Sequence, residues 1–199
     1  MLNNSHNFSE NILSQDGKAQ LIAPLFTPTQ SDRYFKNLLT EISWKQEPIK
    51  IFGKAVMQPR LTALYGDLEK PYRYSGTTMN PLLWTPTLLE IKSSIEAVTN
   101  LKFTTALLNH YRNGQDSMGW HRDNEKELGP NPIIASVSFG ATRKFLFRHY
   151  NRKDLKASVE LSHGSLLVMS ESCQQLWQHS IPKTKADVGP RINLTFRIL

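Results

Sequence analysis

Arg191-Ile192-Asn193-Leu194-Thr195-Phe196-Arg197 alternates without a break, and the rest of the 199-residue sequence is read outward from it. Side chains leave a strand on opposite faces with period two, so Ile192, Leu194, Phe196 and Ile198 share one face. Arg191, Asn193, Thr195 and Arg197 share the other. The simplest reading is a half-exposed antiparallel strand with a core face and a face in water. A second reading rests on composition. Two arginines with an amide and a hydroxyl between them form a row of donors that suits a small dicarboxylate, through charge-assisted and bidentate hydrogen bonds. Both readings stand on the sequence alone.

Upstream, beyond residue 100, short β-branched and apolar runs recur at 103–111, 133–139, 143–149, 158–161 and 164–170, punctuated by Gly, Pro and Asn. No helical stretch alternates with them. The fold class expected is therefore mainly β with flanking helices, a jelly-roll double sheet rather than a doubly wound parallel sheet. One helix is predicted from Ser31, with Ser31 or Asp32 as N-cap and Phe35, Leu38, Leu39 and Ile42 on its apolar side, ending near Trp44. Another follows Thr85-Pro86, with Leu88, Leu89, Ile95 and Val98 as the buried stripe and Asn100 as its stop. Residues 1–20, polar and rich in Asn, Ser and Gln, are expected as a flexible arm, and 21–199 as a single domain.

The length and the 39% apolar content describe a globular chain with a sizeable core. A formal charge of +7 favours a polyanionic partner without naming one. Cys173 is the single cysteine, which excludes an internal disulfide, points to a reducing compartment and reads as a small buried hydrophobe. There is no basic segment leading into an apolar run at the N-terminus and no apolar stretch long enough to cross a bilayer, so no membrane role is expected. Intracellular residence follows, with the bacterial cytoplasm favoured, or the nucleus if the source is eukaryotic.

His121 and Asp123 are two residues apart, so on a strand they would face the same way, and His179 is the candidate that completes a trio. Two histidines and one carboxylate on one side of a metal leave the other side open, the ligand pattern of non-heme Fe(II) oxygenases. Beside such a centre, the dicarboxylate suited to the arginine row is 2-oxoglutarate. His6, His110, His149 and His163 rank lower: His6 lies in the polar arm, His110 has the wrong parity beside Asn109 and Tyr111, and the others border turns. Arg122, Arg143, Lys144, Arg148, Arg152 and Lys153 add cations that could meet phosphates, although a solvated surface charge is the ordinary role of each.

Taken together, Asn109-His110-Tyr111, His121-Arg122-Asp123, Ser136-Val137-Ser138-Phe139-Gly140, His163-Gly164-Ser165-Leu166 and Arg191-x-Asn193-Leu194-Thr195-Phe196-Arg197 resemble the AlkB family of DNA and RNA oxidative demethylases, over roughly residues 45–199. The resemblance implies a double-stranded β-helix and Fe(II) on His121, Asp123 and His179. It also implies 2-oxoglutarate held by Asn109, Tyr111, Arg191, Asn193, Thr195 and Arg197, and O2 as the second cosubstrate. Within the family, Ile51-Phe52-Gly53-Lys54, Tyr65-Gly66-Asp67 and Tyr72-Arg73-Tyr74-Ser75-Gly76 look most like the branch acting on duplex DNA, with 45–100 as a nucleotide-recognition lid. A base must leave the stack to reach a buried metal, and an aromatic wedge can fill the gap it leaves. Phe52, with the pliable Gly53 and the cationic Lys54, fits that role, although a core strand phenylalanine reads the same way. Tyr72, Arg73 and Tyr74 are candidate substrate contacts, with Tyr74 stacking on the flipped base opposite His121. Glu125 is placed to accept from an exocyclic amino group. Where relatives of this branch often carry Asp-Asp-Glu, this chain has Asp123-Asn124-Glu125, which replaces a carboxylate near the substrate with an amide.

The expectation is a monomeric dioxygenase that hydroxylates the N-methyl group of 1-methyladenine or 3-methylcytosine in DNA, releasing formaldehyde, succinate and CO2. The alternatives are the same cofactors acting on RNA, protein or a small molecule, a zinc hydrolase on the same ligands, and a damaged-DNA binding module without catalysis.

Overall fold

The computed structural model describes residues 7–51, 54–67, 72–74 and 77–199. In chain order the elements are β1 (Lys18–Ile22), α1 (Pro28–Glu41), β2 (Pro48–Ile51), β3 (Lys54–Met57), β4 (Leu61–Gly66), β5 (Tyr72–Tyr74), β6 (Thr77–Met79) and α2 (Pro86–Thr99). The second half carries β7 (Thr105–Tyr111), β8 (Met118–His121), β9 (Ile134–Gly140), β10 (Arg143–His149), β11 (Lys156–Leu161), β12 (Ser165–Ser170), α3 (Cys173–Leu176), β13 (Trp177–Ile181) and β14 (Arg191–Arg197).

Six strands form one sheet in the order β1-β12-β9-β14-β7-β4, and four form another in the order β11-β10-β13-β8. From β9 onward the chain passes repeatedly between the two, so neighbours in space are not neighbours in sequence, as in a jelly roll. Alternation along each strand sorts residues into two cores. One lies between the sheets, where Leu107, Ile134, Leu167 and Met169 meet Phe145, Phe147, Trp177 and Ile181. The other lies on the far side of the six-stranded sheet, where Ala135, Val137, Phe139, Ile192, Leu194 and Phe196 pack under Tyr34, Leu38, Leu88, Ile91 and Ile95 of the helices. The large sheet is thus covered on both faces.

α2 has the predicted ends: the Thr85 hydroxyl accepts from the Leu88 amide, and Asn100 closes the helix in the left-handed region. Leu89, expected in its buried stripe, is 46% exposed, and Ile91 takes the place. α1 starts earlier than predicted. Thr27 is its N-cap and forms a reciprocal capping box with Gln30, so the helix runs Pro28–Glu41 and buries Ser31, Tyr34 and Leu38, leaving Leu39 outside. Ser31 packs against Gly164, whose φ of +75° suits glycine and where a Cβ would collide with the Ser31 hydroxyl.

Two expectations about organisation are corrected. Residues 8–20 are not a loose arm: the Ser9 amide donates to Leu21 O, Leu13 is buried, and β1 pairs along its length with β12. Polar composition misleads there because Asn11 ties the segment to itself, its side-chain oxygen accepting from the amides of Leu13 and Ala19. Nor is 45–100 one lid. β4 pairs with β7 and α2 belongs to the helix-side core, which leaves the hairpins β2–β3 and β5–β6 as the parts outside the two main sheets. Among the described residues, no helix is long and apolar enough to cross a membrane.

Candidate active site

β14 lies between β9 and β7, and its polar face turns into the space between the sheets. Arg191 and Arg197 are 1% and 2% exposed, so the first of the two readings of this strand, a face in water, is excluded. A narrow cavity opens there, lined by Asn109 and Tyr111 of β7, Ser136 of β9, Met169 of β12 and Arg191, Asn193, Thr195 and Arg197 of β14. Its opposite wall carries Met118, His121 and Asp123 with Phe145, His179 and Ile181. A wider depression between Leu25–Gln30 and Ser94–Val98 is lined without a single titratable side chain and offers no comparable chemistry.

One potential ligand atom from each of His121, Asp123 and His179 lies within 4.8 Å of the others. The register explains the meeting, since His121 of β8 pairs directly with His179 of β13. Asp123 lies just past the end of β8 rather than on it, so strand parity alone does not aim it. Its amide donates to Oε1 of Gln174 at 3.0 Å, and its Oδ2 accepts from Nη2 of Arg197 at 3.1 Å. Nδ1 of His121 sits 2.8 Å from Gly119 O. A carbonyl can only accept, so Nδ1 carries the proton and Nε2 keeps its lone pair for a metal.

Electrostatics prepare the same state. Burial would raise the Asp123 carboxyl, but Arg197, His179 and His121 outweigh it and hold it below the usual carboxylate range. Burial lowers His121 against the pull of Asp123, and burial with His121 nearby takes His179 down to about 3. At neutral pH the trio therefore offers one carboxylate and two neutral imidazoles, the forms in which these groups ligate a metal. Asp123 Oδ1 and His179 Nδ1 are buried without a hydrogen-bond partner among the described residues. A divalent cation would satisfy a buried carboxylate oxygen of this kind, so the donor set fits Fe(II).

The row on β14 is wired across the sheet. Arg191 donates to Ser138 Oγ at 2.9 Å, Asn193 to Ser136 Oγ at 2.8 Å and Thr195 to Asn193 Oδ1 at 3.0 Å. Arg191 Nε and Nη1 remain buried without partners among the described residues, and burial lowers this guanidinium to about 10, still charged at neutral pH. A buried cation with unused donors facing a cavity is the complement of a carboxylate.

The sequence profile of the 2OG-Fe(II) oxygenase superfamily matches residues 18–197. The chain belongs to that family. It is an Fe(II)- and 2-oxoglutarate-dependent dioxygenase of the AlkB type, with O2 as the other cosubstrate. Human DNA oxidative demethylase ALKBH2 is 40% identical over 183 residues, covering 87% of this chain and 70% of that one. Bovine alpha-ketoglutarate-dependent dioxygenase alkB homolog 3 is 44% identical over 178 residues, 84% of this chain and 61% of that one. The solved structure of OsALKBH1 superposes with a TM-score of 0.69 over 97% of this chain and all of that one; at 18% identity it speaks for the fold alone.

Not every candidate residue of this AlkB-type oxygenase falls at the cavity. Phe52 and Gly53 lie outside the described residues, Lys54 opens β3, and Tyr72, Arg73 and Tyr74 make up β5. Asn124 is exposed and Glu125 half-buried, both just past Asp123. Arg143, expected as a cation for phosphates, is buried and donates to the carbonyls of Asn113, Asp116 and Pro182. Arg122 donates to Gln175 O and stacks on Tyr150. Cys173 is the buried hydrophobe expected, its thiol pushed by burial up to about 12.

Sequence reasoning missed two supports of the site. Buried Arg60 donates through Nε to Asn109 Oδ1 at 2.7 Å, and buried Gln174 holds the Asp123 backbone. Nothing around Arg60 marks it. Ser136 and Ser138 were readable, since they alternate with Ala135, Val137 and Phe139 as the β14 row alternates with its apolar face.

Proposed function

We propose that this oxygenase removes N-alkyl groups from DNA bases, 1-methyladenine and 3-methylcytosine being the substrates to test first. The observation that carries the site is the His121, Asp123 and His179 cluster facing the buried arginine row across one cavity. What supports DNA as substrate is the relative named DNA oxidative demethylase ALKBH2, together with the +7 charge.

In this reading His121, Asp123 and His179 hold Fe(II), which with O2 and 2-oxoglutarate supplies the hydroxylation of the methyl carbon; the product then loses formaldehyde. The remaining work is done by the chain. Arg191 offers Nε and Nη1 to the distal carboxylate of 2-oxoglutarate, and Tyr111, Asn109, Asn193 and Thr195 line its bed. Arg197, already on Asp123, orients that ligand and meets the ketoacid end. Phe145 and Ile181 on the metal side, and Met169 across from them, give the cavity apolar walls. Asn124 and Glu125, beside the ligand loop, face the incoming base.

Duplex DNA is the proposed form, on the resemblance around Phe52, Lys54 and Tyr74. Identity does not choose a branch, because the ALKBH2 and alkB homolog 3 relatives are about equally similar. The experiment is formaldehyde release from duplex DNA, single-stranded DNA and RNA, each carrying one 1-methyladenine, with Fe(II), ascorbate, O2 and 2-oxoglutarate. Release from DNA, abolished by omitting 2-oxoglutarate, is expected. Release from RNA alone would move the substrate to RNA, and turnover without O2 would favour a hydrolase.

A further inference from the structure

His121 and Trp120 are adjacent and face opposite ways, as successive strand residues do, but Met118, three residues before His121, shares its face through a local irregularity. On β13, His179 and Ile181 are two residues apart, yet their partners on β8, His121 and Met118, are three apart. The extra residue is accommodated as a β-bulge at Gly119-Trp120, a device that re-aims side chains next to active sites. It brings Met118 to the cavity face beside His121, while Trp120 lies on the outer face of the four-stranded sheet.

There Trp120 does not lie loose. Arg148 of β10 reaches across β13 and sets its guanidinium 4.3 Å from the indole centroid, while its Nε donates to Gln178 Oε1 at 2.8 Å. The three side chains form a row over three strands, and Trp120 stays 38% exposed. The adjoining concavity is lined by Arg148, His149, Tyr150, Lys153, Lys156 and Gln178, without an acid among them. On the strands of this face the acid is Glu160, further along β11 and opposite Lys144; at the rim, Asp154 is paired with Arg152 and Asp16 with His149. A flat indole braced by a cation next to a basic hollow matches one partner chemistry, an unpaired base followed by its phosphate.

We propose that Trp120, braced by Arg148, is a stacking platform for the nucleotide next to the flipped base. The inference rests on the nucleic-acid reading above and adds a second base site to it. β8 is an edge strand, and successive residues of a strand lie about 3.8 Å apart on opposite faces. A polynucleotide crossing this edge can place one base on the His121 side and its neighbour on the Trp120 side. The neighbour must leave its own stack to do so, which makes single-stranded DNA the form that gains most.

The test separates binding from chemistry. Metal-free enzyme is titrated into a fluorescent, unmodified single-stranded oligonucleotide and read by anisotropy. Trp120→Ala is expected to weaken binding about 10-fold or more and Trp120→Phe to keep most of it, with a smaller loss on duplex. A second arm leaves the protein intact: wild-type enzyme demethylates a strand in which the nucleotide on one or the other side of the 1-methyladenine is abasic. On one side, the abasic site is expected to lower kcat/KM by about the factor that Trp120→Ala costs, and the variant is expected to lose nothing further. Equal anisotropy for Trp120→Ala and wild type, or losses that multiply in the second arm, overturns the platform. Absence of formaldehyde from every nucleic acid with wild type overturns the demethylase reading instead, and the anisotropy arm still decides the platform.

Discussion

β14 and β11 show how differently two strands of one molecule can be used. Every residue of β14 is buried, whereas β11 alternates exposed and half-buried residues until Leu161. Both carry charge, and position decides what the charge does. β11 is the edge of the smaller sheet with one face in water, so Lys156 and Glu160 are solvated. β14 lies inside the larger sheet, with helices on one side and the cavity on the other, so Arg191 and Arg197 are dehydrated and fixed in direction. Dehydrated cations are costly unless something pairs with them; Asp123 pairs with Arg197, and the proposed ligand would pair with Arg191.

The contrast can be broken in several places. The largest effect is expected at the cavity: Asp123→Ala should lower metal affinity by more than the ~100-fold that outer hydrogen-bond partners cost, measured by titrating metal into apo-protein, with activity lost in parallel. Next, Phe196→Ala on the helix side of β14 should cost about 3–5 kcal/mol in denaturant unfolding, since it opens a cavity in a closed core. On the other face of the same strand, Arg191→Met should raise the KM for 2-oxoglutarate by ~10-fold or more while leaving stability unchanged or higher, because an unpaired buried cation is replaced by an apolar chain. If that substitution instead unfolds the protein, the row is structural.

Glu96 sharpens the point from the helix side. Its carboxylate accepts from Lys92, Lys102 and the Phe103 amide, and although burial opposes it, these partners hold its pKa at about 2 against an ordinary 4.5. A depressed folded-state pKa contributes stability that is present above the unfolded value and lost as pH falls from about 5 toward 2. Lys102 is exposed, so solvent screening reduces the contribution to about 2 kcal/mol. Glu96→Gln should remove that part of the acid dependence in melting curves. The smallest effect belongs to β11: Lys156→Ala should shift stability by no more than about 0.5 kcal/mol.

Much of this was legible in the order of residues. Alternation in 191–197 announced two faces, and the runs after residue 100 announced the strands that became β7, β9, β10, β11 and β12. What alternation cannot say is whether a polar face meets water or a cavity, because that depends on what packs above it; the composition of the row was the only clue. β8 and β13 were not predicted. β8 is four residues long, bulged and partly exposed, and β13 follows a one-turn helix, so neither carries a clean period. The metal trio was legible by residue type, but the reason offered for it was incomplete, since Asp123 is aimed by Gln174 and Arg197 and not by strand parity.

The segment before β1 has a practical consequence for anyone preparing this enzyme. Gln15 O accepts the indole N–H of Trp177, and the Asp16 carboxylate approaches His149 on the strand paired with Trp177. A shortened version beginning at Lys18 would strip those partners from the residue two positions ahead of His179. Cloning choices at the amino end would then be felt as weaker iron retention, and would pass for a defect of the catalytic residues themselves.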